Sequence, residues 1–580
     1  MPSPAYDRRA FMGYFTSIGL GGTLLPGVLW GQVAAGADIT TESVACAAEV
    51  AGLEFDETER ELMVEGLRQQ ARRLQALHQI PLPNEVQPAI VFDPRPAHAP
   101  LATVPPAPGE ARMRRSSVRV PAVPPSLEEL AFAPVTVLSE LVRTRRVTSE
   151  QLTRMYLARL ERYDPVLECV VSLTTDRALR QAREMDAELS RGRYRGPLHG
   201  IPWGAKDLLA TRGYKTTWGA GPYREQTIDA DAEVVRRLDA AGAVLVAKLT
   251  LGELAQGDRW FGGQTKNPWK LDQGSSGSSA GPASAVSAGL VGFAIGSETL
   301  GSISSPASSC GTTGLRPSYG RVPRTGAMAL SWSMDKLGPM CRSAEDCALV
   351  FDVIHGPDGR DKSCIAAPFV WDATIRPSAL RVGYFKAAFD LPVTDPENAE
   401  RQLHPTKPYD DAALEVLRRQ GARLIPVEVP ELAYDAMRII LTAEAAAAFD
   451  DLTRSNRDAE LVQQGRFDWA NTFRTARFIP AVDYINANRV RSIAIERWDA
   501  LFRDVDVIVT PTGAAGLAQL VATNLTGHPA VILPHGFRDD GTPVSLTFLG
   551  RLFGERELLA MAHAFQSATD WHQRHPTLGA

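Results

Sequence analysis

Two periodicities alternate along this chain. Near its start, apolar residues recur close to helical spacing at Leu62, Met63, Leu67, Leu74 and Leu77, as one face of a helix requires. Thr40-Thr41-Glu42-Ser43 and Asp56-Glu57-Thr58-Glu59 stand before such runs, where a helix needs acceptors for its free N–H groups. A helical extension is therefore expected over residues 37–91. Further on, Thr148-Ser149-Glu150-Gln151 forms a capping box ahead of Leu152, Met155, Tyr156 and Leu160. Helices are also expected over 175–189 and 232–241. The run 243–248 (A-V-L-V-A-K) reads instead as a buried strand. Residues 379–503 are mainly helical in pattern, with a strand at 380–384. The period returns to that of strands at 530–533 and 545–549, before a closing helix. Helices alternating with short apolar strands predict an α/β core.

Two stretches break the pattern. Residues 92–125 contain Pro94, Pro96, Pro105, Pro106, Pro124 and Pro125 and read as an extended connector. Its small basic cluster of Arg112, Arg114 and Arg115 reads as solvated. Residues 1–36 carry Arg8-Arg9-Ala10-Phe11-Met12, then a weakly apolar run with Pro26, then small residues from Ala34. That order resembles a twin-arginine export signal and implies a periplasmic or secreted protein. Asp7 stands where such signals usually carry Ser or Thr. The rival reading is an amphipathic N-terminal arm that packs on the body or mediates dimerisation, on a cytoplasmic protein. Pro26 and the glycines make the run a poor membrane span.

The candidate chemistry lies at 272–313. Two Ser-rich turns, Gly274-Ser275-Ser276-Gly277 and Gly296-Ser297-Glu298-Thr299-Leu300-Gly301-Ser302-Ile303, flank an apolar run of helical length at 285–295. A flexible Gly/Ser linker would lack that run. A serine hydroxyl is a weak nucleophile until a base takes its proton. A Gly-rich turn ahead of Ser302 lets backbone N–H groups converge on one point. The N–H groups of Thr299, Leu300, Gly301 and Ser302 are the candidates for stabilising an oxyanion, each donor worth about 10²–10³ in rate. The ten histidines offer no base in a hydrolase-like motif, and His199 reads as a loop-structuring residue.

Composition narrows the field. The formal net charge is −5, so the chain carries no basic footprint for nucleic acid. Six cysteines occur without a C-x-x-C pair, which leaves metal and redox motifs absent and buried free thiols as the default.

The motifs together resemble the amidase signature family. That family runs G-G-S-S-G-G-S-A, a helix, G-T-D-T-G-G-S-I-R-x-P-A, then G-x-K-P-T-x-G-R. This chain has Q-G-S-S-G-S-S-A, G-S-E-T-L-G-S-I-S-S-P-A and Gly314-Leu315-Arg316-Pro317-Ser318-Tyr319-Gly320-Arg321. Upstream, Gly200-Ile201-Pro202-Trp203-Gly204-Ala205-Lys206-Asp207 matches G-V/I-P-x-x-x-K-D. Similarity extends from about residue 132 through Asp506-Val507-Ile508-Val509-Thr510-Pro511-Thr512 and Asn524-Leu525-Thr526-Gly527-His528-Pro529-Ala530. The resemblance implies a large central mixed β-sheet flanked by helices, with a catalytic domain over 126–580 whose segment 379–503 shapes the substrate entrance.

It also implies a Ser–cis-Ser–Lys triad. Ser302 attacks the acyl carbon, Ser275 relays the proton from a cis peptide after Gly274, and Lys206 is the final base. A free lysine, with a pKa of about 10.4, is protonated at neutral pH. Burial favours the neutral amine, so Lys206 is expected in a closed site. The alternative for Lys206 is a surface lysine paired with Asp207. Thr299 and Ser276 are expected to support the turns, with Ser297 and Glu298 orienting them. Trp218, Trp260 and Phe261 are candidates for the substrate pocket, and 441–449 with Glu444 for a wall. Ser275 and Ser302 are 27 apart, three more than the family spacing, which implies an insertion near Gly281-Pro282-Ala283. Leu300 replaces a family Gly, and Ser304 an Arg.

The resulting expectation is a serine hydrolase for carboxamides, with aryl amides, carbamates and aryl esters as related substrates. It needs no metal or organic cofactor, has no nucleic-acid partner and no stable membrane insertion, and a homodimer is common among relatives. The rivals are the amide-transferring subunit of a tRNA amidotransferase and a non-catalytic binding protein on the same fold.

Overall fold

Eleven short, aliphatic-rich segments pair into one mixed sheet in the computed structural model, which describes residues 38–50, 55–78, 83–84, 90–96, 113–513 and 517–578. The expected export segment, 1–36, lies outside these residues. In chain order the strands are β1 Val170–Leu173, β2 Pro202–Lys206, β3 Val244–Leu249, β4 Phe293–Glu298, β5 Thr313–Arg316, β6 Lys336–Cys341, β7 Arg381–Phe385, β8 Arg423–Val427, β9 Val507–Pro511, β10 Ala530–Phe537 and β11 Pro543–Gly550. Their spatial order is β1-β3-β2-β4-β6-β5-β10-β11-β9-β7-β8. β2 runs parallel to β3 and β4, and β7 runs parallel to β8 and β9. The ladders between β4 and β9 are antiparallel. Strands β2 to β6 are buried on both faces, which suits their continuous apolar runs.

Helices cover the sheet and enclose its core. α1 (Thr41–Val50) and α2 (Glu57–His78) form the N-terminal helical region. α3 (Ser149–Leu167) opens on the expected capping box, with Thr148 Oγ1 accepting from Gln151 N–H. Residues 379–503 are mainly helical, with β7 one residue beyond the strand expected at 380–384 and β8 as a second strand. They add both β7 and β8 to the sheet beside α4 (Ile439–Ala448) and α5 (Ala481–Asp504).

The apolar run 285–295 is not one helix. The helix Ala280–Ser287 ends there, a turn follows, and β4 begins at Phe293. Gly289 takes a φ of 66°, a left-handed conformation that stops a helix. Hydrophobicity alone does not separate a buried helix end from a buried strand. The helix–turn–strand path brings both Ser-rich turns to the same end of the sheet as Lys206.

Candidate active site

Side chains alternate across a strand. In β2, Trp203 and Ala205 face one way, and Trp203 stacks on Phe293 with centroids 6.0 Å apart. Gly204 and Lys206 share the opposite face. Lys206, the last residue of the strand, is wholly buried. Burial drives its pKa well below the usual lysine value, against the pull of Asp335 and Glu298. Asp207 does not pair with it: that carboxylate lies 2.6 Å from Lys248 Nζ, both side chains fully buried. The surface-pair alternative for Lys206 therefore fails, because the ordered partner of Asp207 is a different lysine.

Lys206 Nζ meets three hydroxyls: Ser278 Oγ at 2.8 Å, Ser297 Oγ at 2.9 Å and Ser279 Oγ at 3.0 Å. Proton accounting separates them. Ser279 donates its only hydroxyl proton to Ser297 O at 3.0 Å and accepts from Ser297 N–H at 3.1 Å. Toward Lys206 it can only accept. Ser278 and Ser297 remain free to give a proton to a neutral amine. Ser297 lies within β4, five residues before Ser302, whereas Ser278 lies beside the Ser302 backbone, because the next residue, Ser279, donates its N–H to Ser302 O at 3.0 Å.

Ser275 is not at this position, which corrects the expected relay. The cis peptide is Gly277–Ser278, not Gly274–Ser275. Ser275 Oγ donates to Ser276 O at 3.0 Å, and its N–H donates to Thr265 O at 2.9 Å. Those bonds hold it in the preceding turn. Ser276 supports that turn by donating its N–H to Asp258 Oδ2 at 3.0 Å. Gly277, just before Ser278, is tightly packed. A Cβ there would lie 1.8 Å from Gly257 O, so only glycine fits. The expected insertion disappears with the correction: Ser278 and Ser302 are 24 apart, the family spacing.

A buried carboxylate builds the second turn. Glu298 Oε2 accepts from Ile303 N–H at 2.9 Å and from Ser304 N–H and Oγ at 2.8 Å each. Its Oε1 accepts from Arg316 and from Asn524 Nδ2, each at 2.8 Å. Burial alone would raise its pKa. The charges of Arg316 and Lys336, with those hydrogen bonds, hold it at about 2. Ser304 thus replaces the family arginine with a hydroxyl turned inward. Gly301 takes a φ of 91° at the bend, which favours glycine. Thr299 Oγ1 donates to Asp335 at 2.6 Å, and Leu300 packs on the apolar cluster of α5. Among the described residues, no acceptor engages the N–H groups of Leu300, Gly301 or Ser302. Ser302 is mostly buried.

Beside Ser297 and Thr299 opens a cavity of about 270 Å³, walled by Leu208, Met328, Leu330, Leu337 and Trp332. The charged residues on its wall are already partnered. Arg324 donates to Asp361, Ser363 and the carbonyl of Trp332. Asp335 accepts from Thr299, Leu330 and Ser331. Arg360 pairs with Glu233. The indole N–H of Trp332 is buried without an acceptor among the described residues.

Trp218, Trp260 and Phe261 do not line this cavity. Trp218 packs in the core against Tyr223 and Phe449, at 4.6 and 6.1 Å between centroids. Trp260 and Phe261 pack on each other, and Arg224 lies 4.7 Å above Phe261. Glu444 accepts from Ser331, Ser333 and Tyr484, so it braces the loop under the cavity. Sequence reasoning missed Ser278, Ser279, Asp335 and the partner roles of Arg316 and Asn524. The last two stand inside motifs that were legible, but their roles arise only from long-range contacts.

Known proteins share this chain's family and fold. A family model described as Amidase matches residues 151–517. A glutamyl-tRNA(Gln) amidotransferase subunit from Methylococcus capsulatus (Bath) is 36% identical over 476 residues, covering 74% of this chain and 96% of that protein. The native peptide amidase from Stenotrophomonas maltophilia superposes with a TM-score of 0.67 at 32% identity, over 78% of this chain and 99% of that one. A bacterial aryl acylamidase of the amidase signature family superposes with a TM-score of 0.66 at 22% identity, over 76% of this chain and 97% of that one. At that identity the likeness is one of fold.

Proposed function

Since this chain belongs to the amidase signature family, we propose that it is a serine amidohydrolase that cleaves uncharged carboxamides through an acyl-enzyme on Ser302. The observation that carries the reading is a buried lysine, without a carboxylate partner among the described residues, held 2.8 Å from Ser278 Oγ. A neutral amine there accepts the Ser278 proton while Ser278 accepts that of Ser302. The Ser302 oxygen then attacks the acyl carbon, and the charge on the carbonyl oxygen meets the free N–H groups of Leu300, Gly301 and Ser302. Collapse returns the proton through Ser278 to the leaving nitrogen. Water then repeats the sequence to release the acid. Glu298 keeps the turn in shape without touching the substrate.

The apolar cavity with its ion pairs internally closed favours acyl groups without charge, such as alkyl or aryl amides and related carbamates and esters. Among the described lining residues, no charge is left over to hold the ammonium and carboxylate of free glutamine. The second reading, an amide-transferring subunit, draws on the likeness to the glutamyl-tRNA(Gln) amidotransferase protein. It requires glutaminase activity and partner proteins.

The test is intact-protein and peptide mass spectrometry after exposure to a sulfonyl fluoride, run beside neutral anilides, aryl carbamates and glutamine. Modification of Ser302 with turnover of neutral amides by the lone chain is the expected result. Turnover of glutamine alone, or only with added partner proteins, would move the assignment to amide transfer. An unmodified Ser302 in folded protein with no turnover would remove the enzymatic reading.

A further inference from the structure

Asn84 lines the cavity although it lies far N-terminal to residues 151–517, the stretch the family model matches. Its Nδ2 donates to Ala329 O at 2.8 Å, and its Oδ1 accepts from Ala329 N–H at 2.6 Å. A side-chain amide that pairs with both backbone groups of one residue fixes that residue's position as a neighbouring strand would. Ala329 sits between Met328 and Leu330, which form the apolar wall.

Phe92, eight residues further along the sequence, reaches the other end of this loop. Phe92 packs its ring 3.4 Å beneath the Arg491 guanidinium and edge-on to Tyr319 at 5.1 Å. Arg491 donates to Ser333 Oγ and to Ser333 O, each at 2.8 Å. Tyr319 donates to Trp332 O at 2.6 Å. Segment 328–333 is thus clamped at Ala329 by Asn84 and at Trp332–Ser333 through the residues under Phe92.

We propose that the N-terminal arm sets acyl-group size at this site, with Asn84 as its specificity-determining residue. The proposal rests on the reading of Ser302 as nucleophile and of the adjacent cavity as the acyl pocket. Asn84 closes one wall at a fixed width, so short acyl groups fit and long or branched ones are excluded. Removing its amide frees Ala329 and lets the wall retreat.

The test compares kcat/KM for butyryl and octanoyl anilides in the parent and in Asn84→Ala. With two hydrogen bonds removed, the octanoyl-to-butyryl ratio is expected to rise about tenfold. Asn84→Asp keeps the acceptor for Ala329 N–H and loses the donor, so its ratio should fall between the two. Phe92→Ala should move the ratio the same way as Asn84→Ala. Calorimetric binding of the two anilides in a Ser302→Ala background reads the selectivity without chemistry. A binding ratio unmoved by Asn84→Ala or Phe92→Ala would overturn the role of the arm, even with Ser302 reactive. A shifted binding ratio with an unreactive Ser302 in the parent would leave the arm's role standing and remove the nucleophile.

Discussion

Replacing either of two serines three residues apart separates the geometry of this site from its sequence pattern. Ser278→Ala removes the hydroxyl 2.8 Å from Lys206 Nζ. Its neighbour Ser279 cannot replace it, since the Ser279 proton is spent on Ser297 O. Positioned proton transfer contributes about 10²–10⁴ in rate, so kcat should fall by that factor, or roughly 3–5 kcal/mol in barrier. Ser275→Ala removes one hydrogen bond to Ser276 O, worth about 1 kcal/mol of stability, and should leave kcat within a few-fold of the parent. The assay is steady-state hydrolysis of the best neutral anilide, with thermal unfolding to confirm both proteins are folded. Binding should survive in Ser278→Ala, so its loss should fall on kcat more than on KM. The reverse ranking, a dead Ser275→Ala and an active Ser278→Ala, would refute the proton path through Ser278.

Two further outcomes follow from the buried charges. Lys206 has a depressed pKa in the folded protein, so the unfolded chain binds more protons and stability rises with pH from the depressed value up to the ordinary lysine value. In Lys206→Met that rise should flatten in thermal melts across neutral to alkaline pH, and the acid limb of kcat/KM should vanish with the activity. An unchanged slope would mean that Lys206 is charged in the fold. Glu298 is depressed from 4.5 to about 2, so its ionisation contributes about 3 kcal/mol above pH 4.5 that is lost as pH falls toward 2. Glu298→Gln should lose that acid dependence. It should also be destabilised near neutral pH by about 3–5 kcal/mol, because Arg316 would be left buried and unpaired. Denaturant titration at two pH values reads both effects.

The α/β core was legible because its strands are short aliphatic runs and its helices carry their own start signals. The run 243–248 became β3 displaced by one residue, and the Thr148 box opened its helix as written. Lys206 and the Ser302 turn were legible through motif order. The serine in contact with Lys206 was not, because Gly274-Ser275-Ser276-Gly277-Ser278-Ser279 repeats itself every three residues and fits the motif in two registers. Pattern matching cannot choose between them. The fold makes the choice, setting Ser278 Oγ and not Ser275 Oγ 2.8 Å from Lys206 Nζ. The aromatic pocket failed for a related reason. Loop tryptophans near a cleft in sequence order can turn into the core, as Trp218 does. Asn84 left no local signal, since its contact is with a residue 245 positions away.

In the proposed mechanism, what makes Lys206 usable as a base is the arrangement of carboxylates around it. Any acid within an ion-pair distance would hold the amine charged, and the proton path would close. Three acids lie near in sequence or space, and each is engaged elsewhere. Asp207 follows Lys206 directly, but strand alternation turns it to Lys248 and Thr217. Glu298 is neutralised by Arg316 and occupied by the nucleophile turn. Asp335 is capped by Thr299, Leu330 and Ser331, and burial raises its pKa. What remains around Nζ is three hydroxyls, which solvate an amine without fixing a charge on it. The same ion pairs that isolate Lys206 also shape the turn of Ser302 and one wall of the cavity. On the proposed function, stability, base strength and substrate charge preference are set by one group of residues, so a substitution that frees Glu298 or Asp335 should move all three together.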